Sequence, residues 1–552
     1  MRRISMRRIS RRIKHKAWPI QFINKFIIVL FSGLIWLTLF FACISPNLIL
    51  GKNTVTGAGT TFWTTSCFFI LFVVFILWEV SDEFRHVLHD IFIARENTSL
   101  VFFCLFVLGI QILFVSEVHP PIGWDVSALH HALTDTNDPN IIAYFSLNYN
   151  NLPILLVQHM LASFFHTTSW IFFDWVTLFL VDLSALINVI SICIIDNDDK
   201  KKVRMGIFIH CIFLLLFPTI IVPYTDAWVL PLVSFIFLGI CIVLKERYSF
   251  IFRAIGSTII GISATAAFII KPSASIPIIS FTLILLISVI FPLENSLATR
   301  DRPLVRTKKS HKKLKLLILL FITWTFAAGT YINLNKNLAN QTYIHVDKER
   351  EIPAVHFISM GASGEGGYNP KDALMMAVLP TKKARINYSW SLLEKRLKKR
   401  GIWGNLLFYV SKHRNNTSDG SFAWVKEGNF IVGNGIPQEK GLAGWIEQFV
   451  YLYGTRIGDF RFWAQIWWCI WLTMIAFGQS NRGKIVQILR LTIIGGFVYL
   501  LIFEGGRSRY LIQFLPEFLI LAAILYQNSW HRIYEFWGKL KQKMVNFIKI
   551  DV

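Results

Sequence analysis

Four short stretches of this chain carry residue types and spacings that chemistry could use. The first runs Glu117-Val118-His119-Pro120-Pro121-Ile122-Gly123-Trp124-Asp125, with His130, His131 and Asp135 following. Asp125 stands just past an apolar segment, where a carboxylate can take a proton from a hydroxyl as a general base. Trp124 beside it suits a membrane interface, and Tyr144, Asn148, Tyr149 and Asn150 follow in the same polar stretch. The second is Pro223-Tyr224-Thr225-Asp226-Ala227-Trp228, an acid between two apolar segments with almost no loop around it. An ionisable residue so close to hydrocarbon is a functional candidate by default. The third, Phe503-Glu504-Gly505-Gly506-Arg507-Ser508-Arg509-Tyr510, sets two arginines beside two glycines. A guanidinium grips phosphate through a planar fork of donors, and glycine lets backbone approach a ligand closely. Lys271, in Ile270-Lys271-Pro272-Ser273, is a further cation flanked by apolar residues. The fourth stretch, His356 to Asn369, is dense in glycine but lacks the GxxxxGK[ST] spacing of a nucleotide loop. It is expected to fold over a site, with His356 in support.

Each stretch also has a structural reading. The Pro120-Pro121 pair can shape a turn, and the histidines need no special reason to sit at an interface. Asp226 can cap the helix that starts after it. Arg507 and Arg509 can snorkel or pair with Glu504. Position separates the readings: Asp125, Asp226, Lys271 and the Glu504–Tyr510 turn all stand at ends of apolar segments. If those ends share one face of a membrane, acids and cations from distant sequence can build one site.

The elements that would bring them together follow from composition. Of 552 residues, 54% are hydrophobic and only 16% charged, against about 25% charged in soluble domains. The apolar residues come in blocks long enough to cross about 30 Å of hydrocarbon. Candidate spans are 24–46, 63–80, 99–117, 168–195, 206–223, 227–244, 254–270, 274–292, 315–334, 461–478, 484–503 and 510–527. The fold class is therefore an all-α polytopic membrane protein with about twelve transmembrane helices. Segment 153–166 is too short to cross and reads as an interfacial or re-entrant helix.

The formal charge of +23 fits Lys- and Arg-rich cytoplasmic loops. The basic runs flank apolar segments, which excludes the basic soluble face of a nucleic-acid binder. The N-terminal run MRRISMRRISRRIKHK precedes an apolar stretch too long for a cleaved signal, so the N-terminus is expected inside. Arg300, Arg302, Arg306, Lys308, Lys309, Lys312 and Lys313 then fall on the same side, as does the tail with Arg532 and Lys539. Loop 118–167, the turn at 223–226 and region 335–460 fall outside. The division expected is a membrane module over 1–334, a small extracytoplasmic α+β insertion over 335–460, and C-terminal helices with a basic tail over 461–552. The seven cysteines lie in or beside apolar segments without CxxC spacing, which argues against a zinc site or a disulfide framework.

The arrangement resembles the GT-C superfamily of integral membrane glycosyltransferases, in particular the protein-mannosyltransferase-like and aminoarabinose-transferase-like enzymes of a Gram-positive bacterial branch. The resemblance rests on the acid of the first large outer loop, at Asp125, and on the Pro-Tyr-[Ser/Thr]-Asp turn at Pro223 to Asp226. It rests also on the late turn with Glu504, Arg507, Arg509 and Tyr510. The mannosyltransferases carry an Asp-Glu pair where this chain has Asp125-Val126. The resemblance implies a GT-C-like fold in the plasma membrane, a polyprenyl-phosphate sugar as donor, a cell-envelope glycan, lipid or protein as acceptor, and no cofactor or required metal. It casts Asp125 and Asp226 as catalytic and Arg507, Arg509 and Lys271 as holding the donor phosphate, with Glu504, Tyr510, Tyr224 and His356 in support. Two other functions fit the same helices: a flippase for a lipid-linked glycan, and a non-catalytic envelope-assembly protein. A transporter would place polar residues at mid-membrane in paired halves, whereas the charges here stand at segment ends.

Overall fold

The computed structural model describes the chain except residues 1, 91–95, 119–120, 197–198, 292–304, 423–429, 480–482 and 551–552. For 2–21, 96, 219, 305–310, 540–541 and 543–550 it describes backbone alone. His119, Pro120, Arg300 and Arg302 therefore lie outside the described residues. So do the side chains of the N-terminal basic run and those of Arg306, Lys308 and Lys309.

A backbone in hydrocarbon must bond to itself, so apolar segments become helices. Among the described residues ten helices are long and apolar enough to cross a membrane. They are Phe22–Cys43, Phe62–Val80, Asn97–Glu117, Trp170–Ile195, Thr225–Leu244, Phe250–Ile270, Pro272–Ile290, His311–Ala339, Lys484–Ile502 and Ser508–Lys539. The two remaining expected spans are helices too. One is Lys200–Leu216, of 17 residues, ended by Pro218 earlier than the sequence pattern suggests. The other is Ile457–Phe477, which keeps Asp459 and Arg461 in its first turns. At the bundle centre the Leu230–Leu244 helix is buried along most of its length and packs on Phe250–Ile270. The two meet through glycines: a Cβ on Gly239 would lie 2.7 Å from the Gly256 carbonyl oxygen. Small residues at such crossings let the backbones come together, which drives helix association in lipid.

The described residues of 118–167 form three short α-helices, Asp125–Ala132, Pro139–Leu147 and Leu152–Phe165. The last has 14 residues, about 21 Å of helix, too short to cross. It packs instead beneath the second motif, with Gln158 Nε2 donating to the Pro223 carbonyl at 2.9 Å.

Region 335–460 corrects an expectation. It is not α+β: its described residues form helices Ala354–Met360, Pro370–Val378, Lys382–Thr417 and Gly441–Val450 and no strand. Among the described residues the one β-type pairing there is an isolated bridge between Phe430 and Ile122. Lys382–Thr417 is rich in Lys, Arg and Leu, which favour helix, and the glycine-rich stretches are turns.

This helical insertion is bolted to the bundle by main-chain contacts. Lys412 is fully buried, and its Nζ donates to three carbonyls: Gly361 at 2.6 Å, Leu501 at 3.0 Å and Phe503 at 2.6 Å. Asn416 adds two links, Nδ2 to the Leu500 carbonyl at 3.2 Å and Oδ1 from the Gly506 amide at 2.5 Å. The Lys412→Met variant strips one buried and two partly buried carbonyls of their donor and is expected to cost about 2–3 kcal/mol. A lowered thermal midpoint of the full-length protein in detergent checks this, and an unchanged midpoint contradicts it.

Candidate functional site

The four motifs converge on one end of the bundle. Asp125 opens the Asp125–Ala132 helix, behind Trp124, whose φ of 58° is one of the few positive values outside glycine. That conformation strains a bulky residue and turns the chain abruptly into the helix. Both oxygens of the half-buried Asp125 carboxylate are held by phenols. Tyr144 Oη donates to Oδ1 at 2.6 Å, and Tyr224 Oη lies 3.0 Å from Oδ2. Asn151 binds the pair together: its Nδ2 donates to Tyr144 Oη at 2.6 Å, and its Oδ1 lies 3.2 Å from Tyr224 Oη. Burial, with the charge of Asp125 next, pushes both phenol pKa values well above 10.0, so both stay protonated and can donate.

Asp226 follows Tyr224 by two residues. It is fully buried and does not act as a cap: the Thr225–Trp228 helix takes no side-chain cap bond. Its Oδ1 pairs with Lys271 Nζ, and its Oδ2 lies 3.5 Å from Arg509 Nε. Burial lowers the Lys271 pKa, and Asp226 opposes that by favouring the ammonium. Both cations flank the Tyr510 ring, Arg509 Cζ at 4.8 Å and Lys271 Nζ at 5.8 Å from its centroid. Tyr510 Oη in turn donates to Glu504 Oε1 at 3.0 Å. Burial raises the Glu504 pKa; Asp125 adds to the rise, while Tyr510, Arg509 and Arg507 oppose it. Asp125, Asp226, Lys271, Glu504, Arg507 and Arg509 thus lie within electrostatic reach of one another, joined through Tyr224 and Tyr510.

The glycine-rich stretch forms the wall. The Gly505 amide donates to the Gly366 carbonyl at 2.9 Å, and a Cβ on Gly367 would lie 2.9 Å from the Gly505 carbonyl oxygen. A pocket of about 470 Å³ opens there, lined by Ser363, Gly364, Glu365, Gly367, Tyr368, Asn369, Pro370, Lys371, Gly506 and Arg507. Tyr368 feels the charges of Glu504, Asp125 and Arg507, which ties the pocket to the carboxylate cluster. Its lining offers donors, acceptors, a cation pair and an aromatic edge. That mix suits a polyhydroxylated or phosphorylated ligand better than an apolar one.

Other sequence candidates stay out of the cluster. His356 is buried inside the insertion, where Asp372 and Arg396 are its charged neighbours, and burial holds its pKa down to about 4. His130 stacks on Trp170 with centroids 4.0 Å apart. His131 Nε2 lies 3.6 Å from Asp138, and Asp135 accepts from the Asn137 amide in a turn. Sequence reasoning gave no role to Tyr144, Asn151, Tyr368 or Lys412. The polar run Asn148-Tyr149-Asn150-Asn151 was a signal for one of them; Lys412, in a highly charged helix, had none. Among the described residues no group of three His, Cys, Asp or Glu side chains gathers as a metal would require.

A family model described as "Conserved hypothetical integral membrane protein" matches residues 19–530. No curated protein matches the chain. Among solved structures, ArnT from Cupriavidus metallidurans in the apo state is similar at 12% identity, over 79% of this chain and 78% of that one, with a TM-score of 0.27. A superposition that loose transfers no residue's role.

The two acids differ in surroundings, and their amides should differ in cost. Asp226→Asn leaves Lys271 buried without its anion and is expected to destabilise by about 3 kcal/mol or more, with partial recovery in the Asp226→Asn, Lys271→Met pair. Asp125→Asn, half-exposed and held by phenols, should unfold near wild type. Thermal unfolding of the three variants in detergent is the check. Equal losses for the two single variants would contradict the assignment of Asp226 as the structural anchor.

Proposed function

The chain belongs to the conserved hypothetical integral membrane protein family, whose model matches it over residues 19–530, and from that premise we propose that it is a GT-C-type glycosyltransferase. In this reading it moves a sugar from a polyprenyl-phosphate donor to a hydroxyl of a cell-envelope acceptor at the outer face of the plasma membrane. One observation carries the reading: a carboxylate oriented on both oxygens, Asp125, stands beside a cation cluster and a polar pocket at the end of a bundle of apolar helices. A lipid-linked sugar presents an anionic phosphate at the membrane surface and a sugar beyond it. Cations at the ends of apolar helices and a polar pocket above them match that order.

The chemistry is a displacement at the anomeric carbon. Asp125 accepts the proton of the acceptor hydroxyl, whose oxygen forms the new bond to that carbon. The bond from the carbon to the phosphate oxygen breaks, and its electron pair leaves with the lipid phosphate. An ionised carboxylate offers about four lone-pair sites, so Asp125 can receive this third donor while Tyr144 and Tyr224 hold its plane. Arg507, at the pocket, meets the leaving phosphate first. Arg509 and Lys271, held by Asp226, supply positive potential behind it, which stabilises the charge that develops as the bond breaks. Asp226 acts as a positioning residue, because its carboxylate is fully buried and already occupied by cations. Glu504, through Tyr510, orients the aromatic ring between the cations.

Transfer in proteoliposomes tests this, with a panel of radiolabelled polyprenyl-phosphate sugars and crude envelope as acceptor. Wild type should move label to acceptor, and Asp125→Asn should lose a factor of about 10² to 10⁴, the usual contribution of a general base. Near-normal turnover in that variant removes Asp125 from the reaction. Lipid-linked sugar crossing the bilayer without transfer would make the protein a flippase.

A further inference from the structure

The Lys382–Thr417 helix changes character at Gly401, whose φ of 62° breaks it. Before the break it is basic: Lys395, Lys398 and Lys399 are exposed, while Arg396 is bound to Asp372 at 2.7 and 2.8 Å. After the break one face is apolar and bare. Ile402 is 87% exposed, Trp403 77% and Leu407 70%, with Leu406 and Val410 also exposed. These positions recur at the three- and four-residue spacing of a single helix face. A soluble domain seldom leaves such a face uncovered.

The depth of the helix says what covers it. Three residues beyond Val410, His413 Nε2 lies 2.9 Å from Thr38 Oγ1, and its ring meets Phe497 edge-on with centroids 4.9 Å apart. Thr38 and Phe497 belong to the spans Phe22–Cys43 and Lys484–Ile502. Each lies five residues inside the end of its span, about 7 Å of helix. Asn416 and Lys412 bond to Leu500 and Leu501 at the end of the same span. The end of the segment, Lys412 to Asn416, is therefore wedged among spans at membrane level, the bare face that precedes it starts two residues away at Val410, and on those two spans Trp36, Phe40 and Val498 are exposed as well. In-plane amphipathic helices sink an apolar face about 5–10 Å into the headgroup boundary, with lysines on the polar side.

We propose that Gly401–Val410 is a lipid-binding element that lies in the leaflet at the site's end of the bundle, its apolar face against acyl chains and Lys395, Lys398 and Lys399 at the level of the phospholipid phosphates. The insertion is then seated in the membrane rather than standing above it. This holds whether or not the protein transfers sugars.

The test uses full-length protein in phospholipid nanodiscs. Nitroxide labels are placed at Leu407→Cys and at Lys398→Cys, each in a chain whose seven native cysteines are replaced by serine. Collision with oxygen, which partitions into lipid, is compared with collision with a water-soluble nickel chelate. The label at 407 should favour oxygen and that at 398 the chelate. Chelate-dominated collision at 407 overturns the proposal and points to a water-facing surface, and little collision with either reagent there overturns it as well and points to a protein-covered one. The Trp403→Phe variant, with native cysteines kept, gives an independent reading. With lipids brominated near the top of the acyl chain, wild-type emission should be quenched more than that of the variant. Equal quenching of the two also overturns it.

Discussion

The buried pairing of Asp226 with Lys271 and Arg509 is the constraint on which the rest of the site depends. A charge taken out of water is costly unless partners hold it with good geometry, so three segments far apart in sequence must meet at one point and depth. Each segment brings a neighbour with it. Beside Asp226, Tyr224 reaches Asp125. Beside Arg509, Tyr510 reaches Glu504 and Arg507 opens onto the pocket. Lys271 closes the Phe250–Ile270 helix and fixes where that helix ends. The ion cluster thereby sets the distance between the oriented carboxylate and the arginines, which is what the proposed displacement requires of a scaffold.

The insertion adds the wall that the bundle lacks. Its attachment through Lys412 and Asn416 is made to carbonyls and an amide rather than to side chains. The Gly361–Gly367 stretch is held against Phe503 and Gly505 with close main-chain approach. A side chain at either glycine would push the two apart and widen the pocket. The same helix that carries Lys412 carries the lipid-facing segment after Gly401. Membrane seating and pocket geometry thus share one element.

Much of the candidate cluster was legible in the sequence, and the reason is energetic. Asp125, Asp226, Lys271, Glu504, Arg507 and Arg509 all stand at ends of apolar segments, where charge is expensive and survives only with a purpose. The spans were legible because apolar blocks of that length admit little else. Other features depended on tertiary contact. Tyr144 and Asn151 are ordinary polar loop residues until the turn at Tyr224 reaches them. Lys412 is one of many lysines in its helix, and only the carbonyls around it single it out. His356 was misplaced because a glycine-rich neighbourhood suggested a ligand loop, whereas the histidine faces the insertion's interior. The expected α+β insertion is helical because mixed short apolar runs mark surfaces, and they do not distinguish a strand from an amphipathic helix.

Binding of a plain polyprenyl monophosphate, without sugar, tests most directly the claim that these segments build one lipid-phosphate site. Native mass spectrometry of full-length protein released from nanodiscs would compare wild type with Arg507→Gln and with Asp125→Asn. The account predicts that retained lipid phosphate falls in Arg507→Gln and is unchanged in Asp125→Asn, since one residue meets the phosphate and the other the acceptor. Equal retention by wild type and Arg507→Gln would contradict it.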